Sequence, residues 1–551
     1  MLPSHRSSIL KAIVFFAVLT VACKPESNGP AEKTAPPAAF PLEEKTIAEL
    51  QDMMTSGAAT SEGLVSLYLH RIDEIDRSGP GLNAVIETNP DALAIARELD
   101  RERREKGPRG PLHGVPVLIK DNIDTADKME TTAGSLALLG SKPARDAFVV
   151  ERLKAAGAVI MGKTNLSEWA NFRSSRSTSG WSGRGGQTHN PYALDRNPSG
   201  SSSGSAAAVS ANLAAAAVGT ETDGSIVSPA SVCGIVGIKP TVGLVSRSGI
   251  VPIAHSQDTA GPMARTVADA ATLLGAMTGV DPADAATAAS KGQSLPDYRE
   301  FLKPDGLRGA RIGVLRAEAF NFGRKLDPVL QGVVEALKKA GAEVVDPVEF
   351  PTLGKTDGSE YEVLLYEFKT DLAAYLAGRP GTAVRTVEDL MAFDKKNGDR
   401  ELPFFGQETL EAAAKKGPLT DKAYRDALAK DHDLMRAKGI DAALDKHKLD
   451  ALVVLTNGPA HLTDLINGDS FSGSSSSPAA VAGYPTITLP AGSINGLPVG
   501  VSFIGRAWSE PVLIRLAYGL ERALAARRTP RFLPTAEIPL ALTARGAAKS
   551  K

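Results

Sequence analysis

The chain has 551 residues, of which 43% are hydrophobic and 23% are charged, a composition typical of a soluble globular protein. Its formal net charge is −1, so it lacks the basic balance of proteins that bind nucleic acid through charge, and we expect no nucleic-acid partner. This length suffices for several domains or for one large α/β unit.

The N-terminal segment is predicted to be a targeting signal rather than part of the fold. Basic residues precede an apolar run at residues 12–22, which is too short for a transmembrane helix and ends at Cys23. We therefore expect a lipoprotein-type signal peptide over residues 1–22, a lipidated Cys23 and a Pro-rich linker over residues 23–39. A soluble secreted protein is the alternative. The lipoprotein hypothesis and the secreted-protein hypothesis both predict export. The lipoprotein hypothesis also predicts a periplasmic protein of a Gram-negative bacterium that contacts the membrane only through its lipid anchor.

Helical and strand patterns alternate from Leu42 onward. Helical spacing covers residues 46–75 with a break at residues 56–57, and an apolar run at residues 115–119 predicts a buried strand that ends at Lys120. Further helices and strands are predicted at residues 91–106, 148–156, 158–161, 311–315, 328–340, 343–345, 361–376, 422–437, 450–455, 485–490, 499–504 and 510–526. This alternation indicates an α/β domain with a parallel or mixed sheet.

Two clusters of small residues flank an alanine-rich run in the middle of the chain. The first is GSSSG at residues 200–204 and the second is TDGS at residues 222–225. Glycine permits turns that aim backbone N–H groups at a ligand, whereas alanine favours a helix. We predict a helix held between two serine-bearing turns, and a serine-rich active site where these turns meet.

Several motifs, in this order, resemble the signature of the amidase signature family. They are KDN at residues 120–122, SGSSSGS at residues 199–205, GTETDGSI at residues 219–226 and GIKPT at residues 237–241. The third motif, together with SQDTAGP at residues 256–262, is most similar to the bacterial peptide amidases. The resemblance implies an α/β amidase-signature fold, with a mixed central β-sheet sandwiched by α-helices in a single large catalytic domain over residues 40–531. Within it, residues from about 281 to 439 would form a variable substrate-access segment, and residues 532–551 a C-terminal tail.

The resemblance also implies the roles of the site residues. Ser225 would be the nucleophile, Ser201 a proton relay that follows a cis peptide bond, and Lys120 the base. Lysine can act as a base only when it is neutral, and burial at a strand end would lower its pKa. Ser202 would be an indirect partner of Lys120, acting through a residue that contacts the lysine. The backbone N–H groups around Thr222, Asp223, Gly224 and Ser225 would bind the oxyanion, and no cofactor or metal is implied.

The expected substrate is a carboxamide, hydrolysed to an acid and ammonia. Val227 stands where the family commonly has an arginine, which removes an anchor for a substrate carboxylate and favours the uncharged C-terminal amide of a peptide. Asp223, where glycine is usual, would bind the amide nitrogen or cap a turn. The alternatives are a general aliphatic or aryl amidase and an amidotransferase subunit acting on misacylated tRNA, which would require cytosolic residence and partner subunits.

A different hydrolase architecture is also compatible with the first serine cluster. GSSSG satisfies GxSxG, the nucleophile elbow of α/β-hydrolases, with Ser202 as nucleophile. That reading needs a later acid and histidine, for which His255, His432, His447 and His461 are the available residues. It leaves Lys120 and Ser225 without a role. Cys233 lies in an apolar run and is predicted to be a small buried hydrophobic residue.

Overall fold

The computed structural model describes residues 40–538 apart from 317–319 and 321. The predicted signal peptide at residues 1–22, the linker at residues 23–39 and Cys23 lie outside the described residues, as do residues 539–551 of the predicted tail. Within the described ranges, no helix is both long enough and apolar enough to cross a membrane.

Thirteen strands in the described part of the chain form a large sheet and one small hairpin. In chain order they are β1 Val85–Thr88, β2 Pro116–Lys120, β3 Val159–Thr164, β4 Trp181–Ser182, β5 Gly186–Gln187, β6 Ala216–Glu221, β7 Val236–Lys239, β8 Thr259–Ala264, β9 Arg311–Val314, β10 Glu343–Val345, β11 Ala451–Leu455, β12 Thr486–Ile494 and β13 Leu497–Ile504. The large sheet has 11 strands in the order β1-β3-β2-β6-β8-β7-β12-β13-β11-β9-β10, and β4 pairs with β5.

The large sheet is mixed and covered on both faces. Strands β3, β2 and β6 run parallel to one another, β8, β7, β12 and β13 pair in antiparallel fashion, and β11, β9 and β10 are again parallel. Every residue of β2, β6, β8, β11 and β13 is buried, which requires helices on both sides of the sheet. The predicted mixed sheet between helices is confirmed.

Helices fill the segments between the strands. They are α1 Ile47–Thr55, α2 Ser61–Arg71, α3 Ala92–Lys106, α4 Phe148–Ala155, α5 Ser203–Ser210, α6 Val227–Val232, α7 Val267–Met277, α8 Asp327–Lys339, α9 Asp357–Ala377, α10 Val387–Lys396, α11 Gly398–Glu401, α12 Glu408–Ala414, α13 Lys422–His432, α14 Asp441–His447, α15 Ser477–Ala482 and α16 Glu510–Leu524. The two predicted N-terminal helices appear as α1 and α2, and Thr46 begins α1 by accepting the N–H of Glu49.

The alanine-rich run differs from its prediction. Only its first part is helical, because α5 ends at Ser210 and Asn212 adopts a left-handed conformation with φ of 60°. The remaining alanines form β6, which is paired between β2 and β8. Sheet pairing therefore overrides the helix preference of alanine. All side chains from Ser203 to Glu221 are buried, and a Cβ at Gly204 would lie 2.3 Å from the Ala84 carbonyl oxygen.

The segment predicted to shape substrate access contributes to the sheet as well. Strands β9 and β10 lie within residues 281–439 and form one edge of the sheet. The helices α9, α10 and α12 build a separate apolar cluster in which Leu365 and Phe368 pack with Trp169, Phe172 and Ile253. The helical part of this segment thus supports loops from the centre of the chain.

Packing continues beyond Arg531, after which we placed the start of the tail. Leu533 pairs with Ala193 in an isolated β-bridge, and Ala536 is buried against Ala193 and Leu497. The described residues of this region therefore belong to the packed body.

Candidate active site

Lys120 lies at the end of β2 and is completely buried between β3 and β6. Its Nζ contacts Ser201 Oγ at 2.7 Å, Thr220 Oγ1 at 2.8 Å and the Thr220 carbonyl oxygen at 3.3 Å. The predicted strand therefore places the lysine against the first serine of the GSSSG cluster.

The environment of Lys120 suits a base. Burial lowers the pKa of Lys120 from 10.5 to about 7, while the nearby carboxylates of Asp258 and Glu221 oppose this shift. A large share of the side chain is then neutral near pH 7 and can accept a proton. The two hydroxyl partners can donate to a neutral amine, which a carbonyl cannot do.

Two further buried lysines share the lowered pKa but not this environment. Burial brings the pKa of both Lys163 and Lys239 to about 8. Lys163 donates to the Ile123 carbonyl at 2.5 Å and Thr131 Oγ1 at 2.8 Å, whereas Lys239 donates to the carbonyls of Ala479 and Tyr484. These carbonyl acceptors favour the charged ammonium, so both residues act as structural donors. Lys239 lies in the GIKPT motif, whereas no sequence pattern marks Lys163.

The two neighbouring serines of the first cluster have different partners. The Gly200–Ser201 peptide bond is cis, as the resemblance implies, and Ser201 is fully buried against Lys120. Ser202 is predicted to be an indirect partner of Lys120. Ser202 Oγ donates to the Thr220 carbonyl at 3.0 Å and accepts the Thr220 N–H at 3.1 Å. Because the same carbonyl lies 3.3 Å from Lys120 Nζ, Ser202 reaches the lysine through the backbone of β6, and its role stays a prediction.

Thr220 is the partner of Lys120 that sequence reasoning missed. Besides contacting Lys120, its Oγ1 accepts from Asn122 Nδ2 at 3.0 Å. With one lone pair occupied by the amide, the Thr220 hydroxyl hydrogen is free to point at a neutral Lys120 amine. Threonine is common inside strands, so its presence in β6 does not indicate a contact with Lys120. The one sequence feature that relates to this contact is Asn122 of the KDN motif, which bonds Thr220.

The second cluster forms a tight turn between β6 and α6. Gly224 adopts φ of 82°, which a side chain would disfavour. Glu221 Oε2 holds the turn by accepting the N–H groups of Ile226 at 2.7 Å and Val227 at 3.0 Å. Within the described residues, the N–H groups of Asp223, Gly224 and Ser225 have no protein acceptor, so they are available to a substrate oxygen.

Ser225 opens onto a cavity that we call the front cavity. It has a volume of about 320 Å³, and its lining includes Asn171, Phe172, Gly224, Ser225, Leu364 and Phe471. Ser225 is 8% exposed, whereas Ser201 is 0% exposed, so only the former can meet a substrate. The Ser202 N–H donates to the Ser225 carbonyl at 3.0 Å and brings the two clusters side by side. The turns meet as predicted.

Asp223 is the charged residue in the lining of the front cavity. Its Oδ2 accepts from Ser477 Oγ at 2.6 Å, and its carboxylate also pairs with the Glu360 carboxyl. Burial, together with the charge of Asp223, raises the pKa of Glu360 well above its ordinary value. The cavity therefore has negative character, which disfavours carboxylate ligands.

Asp258 contacts Thr222 in the turn at residues 222–225 and acts on Lys120 through its charge. Its Oδ1 accepts from Thr222 Oγ1 at 2.5 Å, and its Oδ2 accepts the N–H groups of Ile253 and Ala254. Burial raises the pKa of Asp258 to about 6, so it is largely ionised at pH 7. Its negative charge raises the pKa of Lys120.

We expect Asp258→Asn to move the acidic limb of the pH–activity profile to lower pH by about one unit. The amide is isosteric and the Thr222 hydroxyl can reverse its hydrogen bond, but the charge that favours the Lys120 ammonium is gone. The measurement is kcat/KM against pH with an amide substrate. Asp431→Asn, which removes a buried carboxyl bonded to Ser359, is the control that leaves the limb in place. A limb that stays at the wild-type pH in Asp258→Asn would contradict this electrostatic link.

The GxSxG hypothesis finds no support in the geometry. Ser202 is fully buried and bonded to Thr220. His255 Nδ1 pairs with Asp371 at 2.8 Å, and His461 pairs with Asp469 at 3.2 Å, so neither imidazole is bonded to a serine in the described part of the chain.

Metal-ligand and thiol groups are accounted for by other contacts. His255, Glu367 and Asp371 are metal-ligand types lying within 4.8 Å of one another, but they form an ion-paired cluster that hydrogen bonds already explain. Cys233 is buried, which raises the pKa of its thiol, in agreement with the predicted hydrophobic role.

Comparison with known proteins gives consistent matches along the chain. The family model described as Amidase matches residues 63–514. The X-ray structure of native peptide amidase from Stenotrophomonas maltophilia is 54% identical with a TM-score of 0.86, covering 90% of this chain and 100% of that chain. A peptide amidase in complex with the competitive inhibitor chymostatin is also 54% identical, with a TM-score of 0.87, over 89% of this chain and 100% of that chain. A protein of Arabidopsis thaliana named a probable amidase is 44% identical over 92% of this chain and 95% of its own length.

The predicted location is wrong. Curated relatives of this chain come from the plant Arabidopsis thaliana and from the fungi Schizosaccharomyces pombe and Arthroderma benhamiae, the two fungal proteins each at 39% identity. These are eukaryotic proteins, not periplasmic proteins of Gram-negative bacteria. The prediction of an exported, periplasmic and lipid-anchored protein is therefore contradicted.

Proposed function

The chain belongs to the amidase family, and from that premise we propose that it hydrolyses the C-terminal carboxamide of peptides through a Ser225 acyl-enzyme. Family membership makes it a hydrolase of amide C–N bonds and confirms the predicted resemblance and fold. The observation that carries the proposed chemistry is the 2.7 Å contact between Lys120 Nζ and Ser201 Oγ, beside the turn that presents Ser225.

The proposed acylation step uses the three residues in series. Ser225 Oγ attacks the amide carbonyl carbon and loses its proton to Ser201, which passes its own proton to neutral Lys120. The carbonyl oxygen becomes an oxyanion that the free N–H groups of the turn at residues 223–225 stabilise. The C–N bond then breaks, the nitrogen takes a proton back through Ser201 and leaves as ammonia, and Ser225 retains the acyl group. In the second half, water attacks the acyl carbon and gives a proton to Lys120 through Ser201. The bond to Ser225 Oγ then breaks, Ser225 takes that proton back, and the acid leaves.

The front cavity supports an uncharged peptide amide as substrate. Apolar and aromatic side chains, among them Phe172, Leu364 and Phe471, offer a surface for the acyl part. Asp223 adds a negative charge that would repel a free C-terminal carboxylate. The likeness to peptide amidases supports the same substrate class. A general aliphatic or aryl amidase remains the alternative, because the same contacts would hold any apolar acyl group.

A panel of amides tests the proposed substrate. We expect kcat/KM for a peptide amide to exceed that of acetamide and benzamide by about 10²-fold, because the small amides forgo the front-cavity contacts. The N-methylamide of the same peptide should lose at least about tenfold for one extra methyl group on the leaving nitrogen. Product acids are measured by mass spectrometry, with the free-acid peptide as the control.

Other outcomes of the panel would point to the alternatives. Rapid turnover of small amides with the peptide amide untouched would identify a general amidase. The predicted export no longer counts against an amidotransferase role, so L-glutamine belongs in the panel, and turnover of glutamine alone would favour that role.

A further inference from the structure

A second cavity adjoins the front cavity, and we call it the rear cavity. It has a volume of about 310 Å³, and its lining includes Asn122, Thr220, Val251, Asp258, Ala374 and Tyr375. Three residues, Ala170, Thr222 and Ile253, line both cavities and form the wall between them.

The two cavities lie on different sides of the reacting groups. Ser225 lines the front cavity but not the rear one. Thr220, which contacts Lys120, and Asn122, which contacts Thr220, line the rear cavity but not the front one. The rear cavity is therefore the one next to the base.

The chemistry of amide cleavage assigns a role to this asymmetry. When the C–N bond breaks, the electron pair goes to nitrogen, which must take a proton from the group that received it earlier. That group is the pair Ser201 and Lys120, so the departing nitrogen has to face the Lys120 side. The acyl carbon stays bonded to Ser225 Oγ, on the front side.

We infer that the rear cavity lies behind the leaving group, and that the wall, chiefly Ile253, restricts that group to ammonia. This inference rests on the proposed function, since it assumes that Lys120 and Ser201 return the proton. With the wall opened, the rear cavity would accept an uncharged alkyl or benzyl group on the amide nitrogen against the apolar side chains of Val251 and Ala374. The charged residues of its lining include the ion pairs Arg247–Asp284 and His255–Asp371.

Hydrogen bonds to Asp258 fix two of the three residues of the wall. Asp258 accepts both Thr222 Oγ1 at 2.5 Å and the Ile253 N–H at 2.8 Å, so the backbone at Ile253 is fixed. The Ile253 side chain is 5% exposed and belongs to the apolar cluster formed with α9. Truncating this side chain would remove the bulk of the wall while leaving the Asp258 contacts intact.

The test compares one peptide as its primary amide and as its N-benzylamide. We expect Ile253→Ala to raise the ratio of kcat/KM for the benzylamide over the primary amide by at least tenfold. Val251→Ala, which enlarges the rear cavity but not the front one, and Leu364→Ala, which enlarges the front cavity but not the rear one, are matched controls whose ratio stays within about twofold of wild type. Ile253→Val, a smaller truncation, should give a smaller rise and serves if Ile253→Ala does not fold.

A variant that fills the rear cavity with a large side chain tests whether the benzyl group binds there. Ala374 is exposed on α9 and lines the rear cavity, so Ala374→Trp should cancel the gain of Ile253→Ala while the primary amide is still hydrolysed. A gain in Leu364→Ala and none in either Ile253 variant would place the leaving group in the front cavity and overturn the inference. If wild type hydrolyses no amide at all, it is the proposed function that fails. Primary-amide turnover with unchanged ratios in every variant refutes the inference alone.

Discussion

Ser225→Ala is expected to lower amidase kcat by at least about 10⁴-fold with little change in the thermal unfolding midpoint. Without the Ser225 hydroxyl the protein cannot form the proposed acyl-enzyme. Because Ser225, Ser201 and Lys120 are proposed to act as one unit, the loss of one member should remove most of the rate enhancement of all three. Alanine fits the same space, because Ser225 has no side-chain hydrogen bond that the fold depends on among the described contacts. The measurement is steady-state hydrolysis of a peptide amide, with the unfolding midpoint followed in parallel.

Ser231→Ala is the matched control for this prediction. Ser231 lies in α6, its Oγ accepts the Gly500 N–H at 2.9 Å, and it lies outside both cavities. Its loss should reduce stability by about 1–3 kcal/mol through an unsatisfied buried N–H group but leave kcat nearly unchanged. A fluorophosphonate probe should label wild type and Ser231→Ala, but not Ser225→Ala. Turnover by Ser225→Ala within tenfold of wild type would exclude Ser225 as the nucleophile.

Lys120→Met is expected to lower kcat by about 10³-fold and to remove the acidic limb near pH 7. Methionine keeps the length and apolar stem of lysine but cannot accept a proton from Ser201, and general-base catalysis contributes about 10²–10⁴-fold. In wild type, activity should rise as pH increases through the Lys120 pKa of about 7. Lys239→Met is the control, since it removes another buried lysine with a lowered pKa whose hydrogen-bond acceptors in the described part of the chain are carbonyls. A wild-type pH limb retained in Lys120→Met would show that another group titrates.

The same substitution has a second signature in unfolding. The Lys120 pKa is lower in the folded chain than its ordinary value of 10.5, so the unfolded chain binds more protons between pH 7 and 10.5. Lys120 therefore makes the folded state less stable as pH falls from 10.5 to 7, with no further loss below that window. As pH falls from 10.5 to 7, the free energy of unfolding of Lys120→Met should therefore increase relative to that of wild type. Below pH 7 the difference between the two proteins should stay constant. Urea titrations at several pH values measure this difference.

The elements that sequence reasoning located best are those with a local cause. The apolar strand that ends at Lys120, the α1 and α2 helices, and the two glycine-containing turns each follow from residues close together in the chain. The meeting of these turns also followed, because both flank one short segment. The roles of Lys120, Ser201 and Ser225 stay predictions until the variants are measured.

The features that were missed depend on residues distant in sequence. Thr220 becomes a partner of Lys120 only because β6 lies beside β2 in the sheet. The wall joins Thr222 of the TDGS cluster to Ala170 and Ile253, and no local pattern marks the last two residues. The alanine-rich run was assigned wholly to a helix, since its propensity does not reveal the strands that pair with it. The contact of Ser202 with Thr220 was missed for the same reason, because it depends on where β6 runs.

The close packing around α5 and β6 also limits how this enzyme can diversify. A Cβ at Gly204 would collide with the Ala84 carbonyl, and one at Gly219 would lie 2.7 Å from Met263 Sδ, so larger residues there would disturb the backbone that carries both serines. Random mutagenesis across residues 203–221 should yield mainly inactive protein. Changes of substrate range are expected at the cavity walls, where substitutions of Ile253 and Leu364 alter the cavity volume without replacing any residue of 203–221. The fold thereby separates a closely packed segment, in which few substitutions fit, from cavity walls in which side-chain volume can change.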